Sequence, residues 1–187
     1  MFNHLITPKN TTNKRYSLLV VVLFCFVIIQ AQTSYPVPPK NSKMLFYLQR
    51  TFNRNTIVYE LNSLADGKLN IENPIKAYWI RYEDDGRTAE LSYIQRKVYG
   101  VKCVPIDKTN SSFSLTFSNF NRRKITLSKE SNGSYKAFIS INNQKTELES
   151  VFIKSEKNVL GIITYKYIDL SGVSTVTGKK TTERMML

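Results

Sequence analysis

Alternation of apolar and polar residues over short segments is the feature that most restricts the fold of this chain. Phe113, Leu115 and Phe117 alternate with serine and threonine residues, and Ile125 and Leu127 repeat the pattern a few residues later. Successive side chains of a strand point to opposite faces, so a period of two predicts strands with one buried and one solvent-exposed face. Such strands are more typical of antiparallel sheets than of parallel sheets covered on both faces.

Ten β-rich segments of this kind are separated by turn signals. Asp84-Asp85-Gly86, Ser131-Asn132-Gly133 and Asn142-Asn143 supply residues that tolerate the left-handed backbone of tight hairpins. The sequence therefore predicts a mainly β fold, an antiparallel β-barrel or β-sandwich of about 8–10 strands. The expected strands are Met44–Gln49, Thr56–Asn62, Ile75–Tyr82, Val101–Ile106, Ser112–Asn119, Lys124–Ser128, Tyr135–Ile141, Leu148–Lys154, Val159–Leu170 and Thr181–Met186.

One segment follows a helical rather than an extended pattern. Apolar residues from Leu91 to Val98 recur at the spacing of one helical face, and Gly100 follows as a stop signal. Thr88 is a suitable N-cap. We therefore expect one short helix over about residues 88–99.

The N-terminal segment has the layout of a secretory signal peptide. Three basic residues precede a twelve-residue apolar run, Leu18–Ile29, which is followed by Gln30-Ala31-Gln32. A membrane-spanning helix needs about 20 apolar residues, so this run is too short to span a bilayer. The sequence thus predicts that residues 1–31 are a cleaved signal peptide. It further predicts a protein that is exported to the periplasm or the extracellular medium and is not an integral membrane protein.

The remaining chain is expected to hold a Pro-rich leader, residues 32–43, and a single all-β domain, residues 44–187. Three prolines in the leader fix φ and favour an extended backbone. The full chain has a formal charge of +13, and three of its positive charges precede the apolar run, which leaves +10 on the rest. Such a charge attracts anionic partners through its long-range field. Export argues against nucleic acid as that partner.

The composition excludes several kinds of catalytic and metal site. The only histidine, His4, lies in the expected signal peptide, so the processed chain has neither a Ser-His-Asp triad nor a His-ligated metal. Only Cys103 of the two cysteines remains, and we interpret it as a buried structural residue, with a reactive thiol as the alternative. The segment Gly172–Lys180 lacks the spacing of a phosphate-binding loop and is interpreted as a basic hairpin turn. No catalytic residue, metal or cofactor is predicted.

Arginine recurs beside aromatic residues in three separate segments of the N-terminal half. Arginine and aromatic side chains bind anionic or ring-bearing ligands through bidentate hydrogen bonds and cation–π contacts. The same residues also suit strands whose aromatics fill a core while arginine stems lie along it. The candidate ligand-binding residues are Arg50, Trp79, Arg81, Arg96 and Tyr99.

Four segments together resemble a known family. They are Leu-Gln-Arg (48–50), Asn-Thr-Ile-Val-Tyr-Glu-Leu-Asn (55–62), Asn-Pro-Ile-Lys-Ala-Tyr-Trp-Ile-Arg-Tyr (73–82) and Tyr-Ile-Gln-Arg-Lys-Val-Tyr-Gly-Val-Lys (93–102). In this order they are similar to the bacterial secreted family described as domain of unknown function 4833. The resemblance spans nearly all of residues 44–186. It implies a secreted or envelope protein of bacteria with no assigned activity, so it supplies no catalytic residues.

Three functional hypotheses follow from these observations. The leading one is a secreted or periplasmic, non-enzymatic binding module for an anionic or amphipathic envelope ligand or partner, because barrels of about eight strands can hold one small ligand. The second is a structural or assembly component of the bacterial envelope, with the leader as a spacer. The third is a histidine-free hydrolase that uses carboxylates, lysine or tyrosine. An enclosed, partly apolar cavity favours a ligand binder, and a broad exposed patch favours an assembly component.

Overall fold

The computed structural model describes residues 35–118 and 120–187. The expected signal peptide, residues 1–31, lies outside the described residues. Residues 35–187 group into one compact unit.

Strands dominate the described residues, which confirms the expected mainly β class with one short helix. The elements are β1 Met44–Arg50, β2 Asn53–Leu61, β3 Ile75–Ile80, β4 Thr88–Glu90, α1 Tyr93–Tyr99, β5 Val101–Pro105, β6 Ser112–Phe117, β7 Phe120–Lys129, β8 Tyr135–Ile141, β9 Gln144–Lys157, β10 Ile163–Ser174 and β11 Lys180–Met186. Each hairpin turn named above from its Gly or Asn residues contains a residue with positive φ.

The strands form one sheet that curls into a half-barrel. Nine of them follow the order β4-β3-β2-β1-β9-β8-β7-β6-β5, and β10 pairs with β9 and β11. Strands β1 and β9 run parallel, with Tyr47 opposite Ser150 and Arg50 opposite Ile153. The sheet is therefore mixed and does not fully match the expected antiparallel arrangement, because its β1–β9 pair is parallel. Alternation within a strand reports which side chains are buried, but it does not report the direction of a neighbour that is distant in sequence.

The long strand β9 connects the two parts of the sheet. One of its edges pairs with β8 over residues 144–147 and then with β1 over residues 150–153, while the other edge pairs with β10. The β9–β10 register shifts between Ser171 and Gly172. A bulge of this kind bends a strand and increases its twist. The shift therefore helps the sheet to curl around its core.

Inward-facing side chains of the curled sheet form the hydrophobic core. Phe113, Leu115 and Ile125, which the alternation predicted to be buried, have at most 1% of their surface exposed. Phe46 and Tyr59 lie fully buried in the same core and stack with ring centroids 4.6 Å apart. Stacked and edge-to-face aromatic pairs add about 0.5–1.5 kcal/mol each beyond the burial of their area.

The helix is shorter than the sequence predicted and begins later. Residues Thr88–Glu90 form β4 and pair with β3, and α1 begins only at Tyr93. Ser92, not the expected threonine, is the N-cap. Its hydroxyl accepts a hydrogen bond from the Gln95 amide at 3.3 Å, and the Gln95 side chain accepts one from the Ser92 amide at 2.9 Å. This capping box fixes the start of the helix.

The helical face expected from the apolar spacing is also incorrect in part. Ile94, which belongs to that spacing, is 73% exposed, whereas Leu91 is buried but precedes the helix.

In the part of the chain that the structure describes, no helix has the length and apolar character that crossing a bilayer requires.

The described part of the Pro-rich leader lies against the outer face of β1 and β9. The Tyr35 ring packs edge-on against Phe152 with centroids 5.1 Å apart. The buried Gln49 side chain donates to the Pro36 carbonyl at 2.7 Å and to the Thr56 hydroxyl at 3.1 Å. These bonds satisfy a polar side chain on the face opposite to the core.

Candidate functional site

A cavity of about 360 Å³ lies inside the half-barrel. Its wall is mostly apolar, and aliphatic side chains from the inward faces of β1, β9 and β10 contribute to it, including Leu48, Val151, Ile168 and Leu170. Pockets that bind small molecules have volumes of about 300–1,000 Å³, mostly apolar walls and a few polar groups. The cavity therefore has the dimensions and lining of a site for a small, partly apolar molecule.

One arginine lies in this apolar wall. Arg50 is the last residue of β1 and faces the same side as Phe46 and Leu48, because alternate residues of a strand share a face. Its guanidinium carbon lies 5.0 Å from the centroid of the Trp79 ring and 5.1 Å from that of the Tyr99 ring. Both distances are within the range of cation–π contacts, so the guanidinium packs against both rings.

The guanidinium of Arg50 has fewer partners than donors. Its Nη1 donates to the Tyr99 hydroxyl. Its Nε is buried and finds no hydrogen-bond partner, and no carboxylate within residues 35–118 and 120–187 forms a salt bridge with it. Arg50 as a whole is half-buried, and a charge that is partly removed from water is costly to hold without a counter-ion. The wall of the cavity thus carries a positive charge that the described residues do not neutralise.

Two more polar atoms near Arg50 are buried without a partner among the described residues. They are Oδ1 of Asn53, which faces Arg50 across the β1–β2 turn, and Nε1 of Trp79. We call Arg50, Asn53, Trp79 and Tyr99 the polar corner of the cavity. Most buried polar groups in folded proteins are hydrogen-bonded. The cavity lining includes Arg50 and Asn53, so the polar corner offers the Arg50 Nε donor and the Asn53 Oδ1 acceptor to whatever occupies the cavity.

The polar corner is held by the end of α1. The Tyr59 hydroxyl donates to the main-chain carbonyl of Tyr99 at 2.7 Å, and the Trp79 and Tyr99 rings meet edge-on with centroids 5.9 Å apart. Burial raises the pKa of Tyr59 well above its usual value, and the nearby Tyr99 hydroxyl raises it further. The Tyr59 hydroxyl is therefore protonated at neutral pH and keeps its role as donor.

The rim of the cavity contains a strained residue. Phe52, in the turn between β1 and β2, has a φ of 78° and is 53% exposed. A positive φ is unfavourable for a bulky side chain, and such strain is concentrated at functional sites. This turn joins Arg50 to Asn53, so the strained residue stands directly between two members of the polar corner.

A second arginine of the cavity wall is already neutralised. Arg123 donates through Nη2 to the Glu183 carboxylate and through Nη1 to the Ser140 carbonyl at 3.1 Å. Its charge is therefore compensated by the chain itself. This contrast distinguishes Arg50 as the arginine that is available to an anion.

The structure brings three of the five predicted site residues together. Arg50, Trp79 and Tyr99 form the polar corner, although Trp79 stands behind the wall and does not line the cavity. Arg81 lies beyond the end of β3, with Nη1 3.6 Å from the Asp84 carboxylate. Arg96 is exposed on α1. The lining of the cavity includes neither Arg81 nor Arg96.

The sequence did not indicate Phe52, Asn53 or Arg123 as parts of the site. The dipeptide Phe52-Asn53 lies between two expected strands and carries no turn signal other than its asparagine. Val151, Ile153 and Ser155 do alternate in sequence, but alternation does not show whether inward side chains meet in a filled core or line an empty space. That distinction depends on how strongly the sheet curls.

The single cysteine of the described chain, Cys103, does not line the cavity. Cys103 packs against the hydrophobic core from β5, and burial raises the pKa of its thiol to about 11. Among the described residues, no group of three or more His, Cys, Asp or Glu side chains is arranged to hold a metal ion.

Comparison with known proteins identifies a family. The model of the family described as domain of unknown function DUF4833 matches residues 46–184. This chain belongs to that family, which confirms the resemblance seen in the sequence. Neither the curated proteins nor the solved structures yield a match.

Proposed function

We propose that this protein is a non-enzymatic binding module of the bacterial envelope that holds a small anionic amphipathic molecule in its half-barrel. The observation that carries the proposal is the uncompensated guanidinium of Arg50 beside an apolar cavity of about 360 Å³. An anionic head group supplies the missing counter-ion, and its alkyl part occupies the space between the aliphatic walls.

The polar corner also indicates the kind of head group. The Nε edge of a guanidinium matches a carboxylate or phosphate, which accepts two parallel hydrogen bonds from it. The unpartnered Asn53 Oδ1 requires a donor instead. The best-fitting ligand therefore carries an anion with a hydroxyl or amide N–H next to it.

The setting of this function is inferred from the sequence. The order of charged, apolar and small residues in segment 1–31 supports export to the periplasm or beyond. A charge of +10 on the rest of the chain raises the local concentration of anions. N-terminal sequencing of the exported protein tests this setting, since processing after Ala31 leaves Gln32 as the first residue.

A displacement assay with three ligands of equal chain length tests the proposed binding. Anilinonaphthalene sulfonate serves as the fluorescent probe, and decanoate, decanol and decyltrimethylammonium serve as anionic, neutral and cationic competitors. We expect decanoate to displace the probe at the lowest concentration and the cationic competitor at the highest. Equal potency of decanoate and decanol contradicts the proposal, because Arg50 then makes no contribution.

Two variants with the same change of charge assign the effect to its residue. Arg50→Gln is expected to weaken decanoate about tenfold or more, since a hydrogen bond to a charged group contributes about 1.5–3 kcal/mol, and to leave decanol unchanged. Arg54→Gln is the control, because Arg54 is exposed on β2. An equal loss in both variants indicates general electrostatic attraction and overturns the site.

A further inference from the structure

The turn between β9 and β10 exposes a cluster of apolar side chains. Val159 is fully exposed, Leu160 is 81% exposed, and Ile162 and Ile163 are 58% and 52% exposed. We call residues 158–163 the hairpin tip. Single exposed apolar residues are normal, but a contiguous exposed apolar patch marks an interaction surface.

The amides of Leu160, Gly161 and Ile162 in the hairpin tip are hydrogen-bonded within the turn. Asn158 Oδ1 accepts from the amides of Leu160 at 3.0 Å and Ile162 at 2.9 Å. The main chain of Asn158 exchanges further bonds with Gly161 and Ile162. Backbone groups without internal partners are costly to move from water into hydrocarbon. This turn therefore presents apolar side chains without unpaired amides at residues 160–162.

Basic residues surround the hairpin tip. Lys154 and Lys157 precede it on β9, and Lys166 follows it on β10. The Lys157 stem reaches over the turn, since its Cε lies 3.4 Å from the place of a Cβ on Gly161. Glu156 is the one acidic residue of the hairpin between residues 153 and 166, and it pairs with Lys166 at 3.3 Å. The hairpin tip thus combines exposed apolar side chains with flanking lysines that leave a net positive charge. This combination is complementary to a surface whose outer layer is anionic and whose interior is apolar.

We propose that the hairpin tip inserts into the head-group region of an anionic lipid membrane, with Lys154 and Lys157 at the level of the lipid phosphates. Lysine stems extend along an apolar surface while their ammonium groups stay in the polar layer. The lysines that flank the hairpin tips of two copies repel each other, which disfavours pairing of the tip with a second chain. This insertion does not require that the cavity takes a ligand.

Insertion of the hairpin tip also brings the cavity to the membrane. Ile163 and Tyr165 belong both to the exposed base of the hairpin and to the lining of the cavity. Phe52, on the rim, is held beside β9, because the neighbouring Thr51 amide donates to the Ile153 carbonyl at 3.0 Å. An amphipathic molecule therefore has a short apolar path between the membrane and the half-barrel.

Fluorescence quenching by lipids with brominated acyl chains tests the depth of the hairpin tip. The test uses Leu160→Trp in the full chain and vesicles of phosphatidylglycerol. The matched control is Val176→Trp, because Val176 is 77% exposed in the turn at the other end of β10. The native Trp79 is 5% exposed and common to both variants. We expect strong quenching of Leu160→Trp and no quenching of Val176→Trp beyond the Trp79 background. This difference between the two variants does not depend on whether the N-terminal segment also contacts the vesicles.

Variants that remove positive charge, and the native mass of the protein, provide two further tests of insertion. Within Leu160→Trp, replacing Lys154 and Lys157 by glutamine should raise the lipid concentration for half-quenching about fivefold per lysine, whereas replacing Lys179 and Lys180 should not. Insertion is overturned by equal quenching of the Leu160→Trp and Val176→Trp variants, or by the absence of quenching in Leu160→Trp. It is also overturned if Leu160→Asp converts a dimer of this chain into a monomer, since the tip is then an interface between copies.

Discussion

The hydroxyl of Tyr59 donates a hydrogen bond of 2.7 Å to the main-chain carbonyl of Tyr99. This bond joins the buried centre of β2 to the last residue of α1, and it thereby fixes the Tyr99 ring beside Arg50 and Trp79. Tyr59 itself does not line the cavity and is fully buried against Phe46. The position of the polar corner thus depends on a residue of the hydrophobic core.

Tyr59→Phe is expected to lower the free energy of unfolding by about 1–3 kcal/mol, because the Tyr99 carbonyl loses its buried donor. Urea denaturation measures this loss, and decanoate affinity should fall with it as the Tyr99 ring becomes less fixed. Tyr78→Phe is the matched control. The Tyr78 hydroxyl donates to Glu60 at 3.1 Å near the surface, so its removal should cost much less. Equal losses in both variants contradict the role given to the Tyr59 bond.

Phe52→Gly is expected to change stability and ligand affinity in different directions. Glycine adopts a positive φ without the strain that a bulky residue bears, a relief of about 1–2 kcal/mol that exceeds its added chain entropy of about 0.5–1 kcal/mol. We therefore expect the free energy of unfolding to stay level or rise by up to about 1 kcal/mol. Affinity for decanoate should fall, because the rim loses an aromatic side chain. A clear decrease in the free energy of unfolding would show that the packing of the Phe52 side chain outweighs the strain of its backbone.

The strands could be predicted from the sequence because burial in this sheet is local and periodic. The strand Tyr135–Ile141 was predicted to the residue, and the strand expected over Ser112–Asn119 is observed as Ser112–Phe117. The three-residue strand β4 could not be predicted, since Thr88–Glu90 is extended only through its pairing with β3. The parallel β1–β9 pair depends on tertiary contacts for the same reason. Helix α1 was placed too early because Leu91 has helical spacing, although the capping box begins at Ser92.

The sequence predicted the types of residue that form the site, but it did not distinguish Arg50 from the other arginines. Arg50, Trp79 and Tyr99 were grouped because arginine and aromatic residues attract the same ligands, and they are adjacent in the structure. The same reasoning selected Arg81 and Arg96, since sequence spacing does not show that Arg81 has Asp84 beside it. The missing counter-ion of Arg50 is a property of three-dimensional neighbours, and no sequence pattern reports it.

Arg81→Gln and Arg96→Gln test whether the site extends beyond the polar corner. The Arg81–Asp84 pair is largely exposed, and exposed ion pairs contribute about 0–1 kcal/mol. Both variants are expected to keep wild-type stability within this range and unchanged decanoate displacement. A loss of affinity comparable to that of Arg50→Gln would place these arginines in a shared site, as the sequence first indicated.

The reactivity of Cys103 should show an unusual dependence on pH. Burial raises its thiol pKa from the ordinary value of 9.0 to about 11, so the thiolate, which is the reactive form, is scarce at neutral pH. Alkylation of the native protein should therefore be slow and should continue to accelerate up to about pH 11, whereas the unfolded chain should reach its maximum rate about two pH units lower. The same shift lowers stability between these two values, because there the unfolded state binds fewer protons than the native state. Cys103→Ala should reduce that decline, and rapid alkylation of the wild-type protein at neutral pH would instead identify a reactive thiol.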